Sequence, residues 1–470
     1  MPGSPIGRGM SGVFDLLVVG GGINGVGIAR DAAGRGLKVL LCEKGDLAGA
    51  TSSASSKMVH GGLRYLEHGA FRLVRESLAE REVLLRIAPH LVRPVRFVLP
   101  HGPGSRPRWM LRAGLLLYDR LGGARSVPAS ARADLREGPL AAPLHDTVRD
   151  GFIYSDCVVD DARLTIANAR DAAWCGAEIM TRSELLAARR DGELWRATLL
   201  TTNGREEVAA RILVNAAGPW APQVVRRAGL ASRARLRLDK GSHIVVRRLY
   251  RHDHAYLLQN DDRRVVFVIP YERDYTLIGT TEYPAAAPEA APPTPEEVAY
   301  LCRAVGRWFK AAPDPGDVVW QYAGVRPLYD DGARSASAAS RDYVIELDAA
   351  GPPALSVFGG KLTTYRRLAE QALARLRRYL PAAGPPWTDQ AMLPDDAARL
   401  GGDNEFAPGL GRAEVDFLVG KEWARTADDI LWRRTKAGLA ASPEQAAALA
   451  DYLTRRAPAA DAPAARTAGR

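Results

Sequence analysis

At 470 residues the chain is long enough for two or three domains with real cores, and 47% apolar with 25% charged residues excludes a disordered or fibrous protein. No apolar run approaches the ~18 residues of a spanning helix, and the Gly/Pro/Ser-rich segment 1–12 lacks an apolar signal core and reads as a loose tail. The net charge of +10 favours anionic partners such as phosphates or acidic lipid, and nucleic acid is not expected because arginine is spread along the chain rather than massed in one tract.

Four cysteines (Cys42, Cys157, Cys175 and Cys302) share no CxxC spacing. That suits a reducing compartment and argues against zinc, any other metal centre or a disulfide framework. Each is expected as a small buried apolar residue.

The stretch on which the rest is organised runs from Asp15 to Ala29. A β-branched apolar run meets Gly20-x-Gly22-x-x-Gly25, and helix-like small residues follow. The first glycine permits a tight turn, the second a close backbone approach to a pyrophosphate, the third close helix–sheet packing. The helix N-terminus adds free N–H groups and partial positive charge. A second apolar run, Lys38–Cys42, ends at Glu43, about 20 residues past the glycines, where a ribose hydroxyl needs an acceptor. A bound dinucleotide is expected, FAD or NAD rather than NADP.

The segment 46–68 is rich in Ser, Thr and Gly and suits a loop and helix start that donates to an anion or a polar ring. Residues 71–90 carry apolar positions at helical spacing and end near Pro89. Strand-like Arg96–Leu99 precedes a Pro/Gly loop. The apolar segment Trp109–Tyr118, flanked by Arg106, Arg108, Arg112 and Arg120, fits an interfacial helix on anionic lipid and an ordinary buried helix equally well. Residues 121–150 read as loop. Asp160-Asp161 opens a helix running to about Cys175. Residues 176–214 read as a meander that ends on Ala216-Ala217-Gly218, and 235–283 as strands of an antiparallel sheet. An Ala/Pro loop and a helix over 296–310 follow. Leu355–Arg366 repeats the strand–glycine–helix logic. Residues 414–456 read as two or three short helices, including Trp423–Lys436, and 457–470 as a disordered tail.

Gly20–Gly25, Thr51-Ser52-Ser53, Lys57, His60–Tyr65 and Gly359–Arg366 together resemble the FAD-dependent glycerol-3-phosphate dehydrogenase family of aerobic, respiratory type, over residues 13–400 and 412–440. The resemblance implies an α/β + α architecture of three parts. The first is a discontinuous Rossmann-like FAD-binding domain of the glutathione-reductase/D-amino-acid-oxidase type, over 13–70, 150–232 and 320–380. The second is an antiparallel-sheet substrate domain over 71–149 and 233–319, and the third a small C-terminal helical domain over 381–456. That last part is shortened relative to the family between about Leu393 and Glu414.

The implied reaction is oxidation of sn-glycerol 3-phosphate to dihydroxyacetone phosphate by hydride transfer to noncovalent FAD, with electrons passed to membrane quinone. The implied setting is cytoplasmic, as a homodimer held peripherally on an anionic inner membrane face. The alternatives are a glycerol-3-phosphate oxidase using oxygen and an amine or amino-acid oxidoreductase on the same scaffold.

The chemistry requires a phosphate clamp, for which guanidinium forks are suited, and a proton acceptor. The resemblance places Arg326 and Arg341 on the phosphate, with Arg64, Tyr65 and Lys361 near the glycerol. His60 or His243 is the expected base, with His68 a third candidate, and Arg326 and Lys361 complete the catalytic set. For the flavin it implies Gly20, Gly22, Asn24, Gly25, Glu43, Thr51, Ser52, Lys57, Gly218, Lys361, Leu362 and Thr363.

Overall fold

A computed structural model describes residues 12–262, 264–289, 291–330, 342–395 and 404–456. The expected tails at 1–12 (all but Gly12) and 457–470, and part of the shortened segment, lie outside them.

The first sheet has eight strands. Its path runs Tyr343–Asp348, Ala354–Gly359, Gly204–Asn215, Val13–Val19, Val39–Cys42, Glu178–Met180, and its central pairs are parallel. Strand Val13–Val19 is buried on both faces, as an inner parallel strand must be. Leu16 and Val18 face a layer made by helices Ile23–Gly34, Asp161–Trp174 and Tyr365–Leu376. Leu17 and Val19 face the opposite layer, where Trp195 and Leu199 of the hairpin Glu184–Asp191/Leu194–Thr201 are fully buried. The meander expected over 176–214 is therefore split. Glu178–Met180 joins the parallel sheet beside Val39–Cys42, and only the last three strands run antiparallel.

The second sheet has ten strands, ordered Tyr283–Pro284, Leu236–Arg247, Tyr275–Gly279, Val265–Tyr271, Ala255–Gln259, Val92–His101, Asp150–Val159, Met58–Val59. Val318–Tyr329 lies along Leu236–Arg247 from Leu236↔Tyr329 onward, and Ala131–Asp134 pairs with Asp150–Val159. It is antiparallel except for one parallel pair, Ala255–Gln259 with Val92–His101. Met58–Val59, Asp150–Val159 and Val318–Tyr329 were assigned from the sequence to the cofactor segments, but they hydrogen-bond into this sheet. The chain passes back and forth between the two sheets, through helices Asp161–Trp174 and Ala221–Arg227 among others, and periodicity cannot show which sheet a strand joins.

Helix Arg108–Leu121 buries Leu111, Leu115 and Tyr118 and exposes Trp109, Leu116 and Leu117, so it is amphipathic rather than enclosed. The C-terminal part packs Arg412–Glu422 and Pro443–Arg456 around Phe406, Ile430 and Leu431. The helix expected over Trp423–Lys436 does not form as one element. Arg412–Glu422 ends at Trp423, whose φ is +59°, and a π-helical turn occupies Asp429–Arg434. Cys42, Cys157 and Cys302 are buried, but Cys175 is exposed because it caps helix Asp161–Trp174 at the surface.

Candidate active site

One large cavity, about 580 Å³, is lined from both sheets. That is the size of a ligand site rather than a packing defect. Its first wall is the glycine turn. Gly20 has a φ of +116°, and a Cβ there would meet the Ala216 carbonyl at 2.6 Å. A Cβ on Gly25 would lie 1.9 Å from the Gly20 carbonyl, so the turn closes only with glycine at both positions. Gly22 caps helix Ile23–Gly34 without a side chain, and the Ile23 N–H donates to Ser52 Oγ at 2.9 Å. The other first-turn N–H groups have no intrahelical acceptor, which makes the helix N-terminus beside the cavity a ready anion site. Gly20, Gly22, Asn24 and Ser52 line this wall, whereas Gly25 stands behind it as packing.

Asn24 Nδ2 donates to the Gly359 carbonyl at 3.2 Å, while its buried Oδ1 has no partner among the described residues. Such an orphan beside a glycine turn fits a ligand that supplies the missing donor. Glu43 accepts from the backbone N–H of Gly21 (2.7 Å) and Gly45 (2.8 Å). Burial pushes its carboxyl above the usual range, and those two donors oppose the shift. Thr51 donates to the Val325 carbonyl at 2.6 Å and so ties the hydroxyl-rich loop to the second sheet. Gly218, Leu362 and Thr363 complete the wall from the far side. The His60 N–H donates to Thr363 Oγ1 at 3.2 Å, which joins the two glycine-flanked segments.

Lys57, expected on the cofactor, is turned away from the cavity. Its ammonium is buried on Asp161 Oδ1 (2.7 Å) and the Ser53 carbonyl (3.0 Å). It fastens the loop to the start of helix Asp161–Trp174, because a buried ammonium needs a carboxylate more than a view of the ligand.

The second wall carries the remaining chemistry. Arg326, in Val318–Tyr329, lies opposite Asp239 and donates to its Oδ2 at 3.0 Å and to Thr280 Oγ1 at 2.8 Å. A Cβ at Gly241 would meet its Nη2 at 2.3 Å, so glycine makes room for the guanidinium. Arg64 lies 3.6 Å from Glu282, and the Lys361 ammonium sits 3.9 Å above the centre of the Tyr65 ring. His60, Arg64, Tyr65, Arg326 and Lys361 all reach the cavity. Arg341 lies outside the described residues, as does the side chain of His68.

His243 is buried behind the wall. Its ring stacks on Tyr322 at 4.9 Å, and Nε2 is 2.9 Å from Ser56 Oγ, which does line the cavity. Burial holds its pKa well below the ordinary range, with the Arg326 and Lys57 charges adding to the shift, so the ring is neutral. Nδ1 has no partner among the described residues. Sequence reasoning missed Ser56, Thr280 and Glu282 on this wall, and Arg182, Asp429 and Arg433 beside Glu43 and Asp46 on the first. Ser56 lay within the hydroxyl-rich stretch, where nothing marked it among its neighbouring serines, and Asp429 and Arg433 lay within the expected helix Trp423–Lys436 with nothing to point them at the cavity.

The model of the FAD dependent oxidoreductase family matches residues 15–366. The glycerol-3-phosphate dehydrogenase of Pseudomonas aeruginosa is 48% identical, over 94% of this chain and 95% of that protein. The D-erythritol 1-phosphate dehydrogenase of Brucella abortus is 46% identical, over 93% and 97%. Among solved structures, the glycerol-3-phosphate dehydrogenase of Bacillus halodurans complexed with FAD superposes with a TM-score of 0.70 at 24% identity, covering 95% of this chain and 94% of that one. The fold, the FAD cofactor and an oxidoreductase activity follow. This chain belongs to the FAD dependent oxidoreductase family and, within it, to the glycerol-3-phosphate dehydrogenase family.

Proposed function

We propose that the protein oxidises sn-glycerol 3-phosphate to dihydroxyacetone phosphate and passes the electrons to membrane quinone. The observation that carries this reading is Arg326, whose guanidinium reaches the cavity that the glycine turn also lines and is set there by Asp239 and Thr280. When bound, FAD supplies the hydride acceptor. The chain's own groups do the rest.

Arg326 and Arg341 hold the phosphate dianion, and Arg64 and Lys361 orient the glycerol. Ser56 Oγ accepts the proton leaving the substrate hydroxyl as it gives its own to the neutral His243 Nε2, and the phosphate dianion on Arg326 offsets one of the two charges that oppose a proton on that imidazole. His60, on the wall itself, is the second candidate base. Gly20, Gly22, Asn24, Glu43, Thr51, Ser52, Gly218, Leu362 and Thr363 hold the cofactor, and Gly25 keeps the turn closed. The same reading divides the chain into cofactor, substrate and C-terminal helical parts.

Electron transfer to quinone requires a membrane contact. No helix among the described residues is long and apolar enough to cross a membrane. The exposed Trp109, Leu116 and Leu117, flanked by Arg108, Arg112 and Arg120, form the face that rests on anionic lipid.

Anaerobic mixing with glycerol 3-phosphate, D-erythritol 1-phosphate, glycine and sarcosine tests the substrate. Flavin bleaching fastest with glycerol 3-phosphate supports the reading, and bleaching by the amines alone removes it. Peroxide formed in proportion to product would make the enzyme an oxidase instead.

A further inference from the structure

The wall around Glu43 is closed by residues from the far end of the chain. Glu43 and Asp46 share it with Arg182, Asp429 and Arg433. The loops 43–46 and 180–184 are laced by backbone: Glu43 N–H to the Met180 carbonyl (2.8 Å), Arg182 N–H to the Gly45 carbonyl (2.9 Å), Ser183 N–H to the Glu43 carbonyl (2.7 Å). Onto them the turn Asp429–Arg434 sets an ion cluster. Arg433 Nε donates to Asp46 Oδ2 at 2.6 Å, and Arg434 Nη2 to Asp46 Oδ1 at 2.8 Å. Asp429 accepts from Arg182 and Arg433 and from the N–H groups of Arg425 (2.7 Å) and Thr426 (2.9 Å). The turn lies beyond the stretch shared with the wider family, which ends at 366. The C-terminal part has other fastenings: Trp432 stacks on Trp320 at 4.5 Å, and Lys436 reaches Asp160 at 2.9 Å. Unlike these two, the fastening through Asp429 and Arg433 lies on the cavity wall itself.

Glu43 is the ribose acceptor by its distance from the glycines, so this is the adenosine end. We propose that the turn Asp429–Arg434 is a clasp on that end of the FAD site. Arg433 and Asp429 are cofactor-retaining residues: they hold the 43–46 loop in place, and FAD leaves when their pairs with Asp46 and Arg182 open. The pairs are accessible enough to feel salt, with Arg433 19% and Arg182 23% exposed. Release of FAD therefore quickens as salt rises.

The test uses the full-length holoprotein and free FAD, with release followed by recovery of flavin fluorescence on dilution. Arg433→Gln is expected to raise the FAD dissociation rate tenfold or more and to flatten its salt dependence, with Arg433→Lys in between. Arg182→Gln, on the other side of the cluster, must shift release in the same direction and serves if Arg433→Gln does not fold. Arg412→Gln breaks an exposed pair with Glu405 in the same C-terminal part and should leave release unchanged. A dissociation rate within twofold of the parent in Arg433→Gln and Arg182→Gln overturns the proposal. An equal acceleration in Arg412→Gln also overturns it, because loosening anywhere in the C-terminal part would then suffice. Substrate identity plays no part in these readouts, so they stand or fall apart from the proposed reaction.

Discussion

Around the glycine turn the cavity wall is mostly backbone: Gly20, Gly22 and the N-terminus of one helix, all within six residues of sequence. At the substrate end the wall is side chain, with Arg64, Thr280, Glu282, Arg326 and Lys361 brought from four separate stretches of chain. The first end is set by local geometry and at Gly20 and Gly25 tolerates no added atom. The second is set by charge pairs across strands, so a lost group there removes chemistry and leaves the scaffold standing. Substitutions at the two ends should therefore fail differently.

The largest expected effect is at the backbone end. Gly25→Val drives a Cβ into the Gly20 carbonyl at 1.9 Å, and no side-chain rotation relieves it. The expected outcome is loss of FAD-loaded folded protein, read as flavin per polypeptide after purification. A fully loaded variant would break the contrast.

At the other end, His243→Asn keeps flavin and loses turnover by about 10²–10⁴-fold, the usual reach of a general base. The flavin spectrum and steady-state turnover check it together. His60→Asn is the comparison, and the larger loss identifies the base. Arg326→Ala is expected to lower kcat/KM by about 10²-fold, from charge-assisted hydrogen bonds of about 1.5–3 kcal/mol. A KM effect with unchanged kcat would make Arg326 a ground-state clamp rather than one that works in the transition state.

The smallest effect sharpens the contrast at the C-terminal clasp. Burial alone would raise the Asp429 carboxyl, but the Arg425 and Thr426 N–H groups and the Arg182 and Arg433 charges outweigh it and hold it at about 2. A carboxyl lowered on folding contributes stability above its unfolded pKa of about 4 that fades as pH falls toward about 2, here about 2 kcal/mol. Acid titration of the holoprotein should show that loss, and Asp429→Asn should remove it. An unchanged titration would take Asp429 out of the clasp.

The legible parts were those written locally. Gly20-x-Gly22-x-x-Gly25, the apolar run before it and Glu43 sit in one short stretch whose period and spacing carry the geometry. Arg326 was reached through the family resemblance rather than through spacing. Lys57 was misread because its partner, Asp161, is 104 residues away and distant charge pairing leaves no trace in a pattern. Ser56 differs from its neighbours only in that His243 lies behind it. Thr280 and Glu282 follow the strand Tyr275–Gly279 with no local motif, and Arg433 reaches the cavity only because the C-terminal part folds back on Asp46. The second-sheet strands Met58–Val59, Asp150–Val159 and Val318–Tyr329 were hidden for the same reason, since a buried extended segment looks alike in either sheet.

If the guanidinium at the side-chain end and the glycine turn serve one substrate, the phosphate must matter to the flavin's reduction. Rapid anaerobic mixing with glycerol 3-phosphate and with unphosphorylated glycerol, in the parent and in Arg326→Ala, tests it directly. Flavin bleaching by the phosphoester should be at least ~10²-fold faster than by glycerol in the parent, with most of that preference lost in the variant. Equal bleaching by the two alcohols in the parent, or flavin that stays oxidised with the phosphoester, would contradict it.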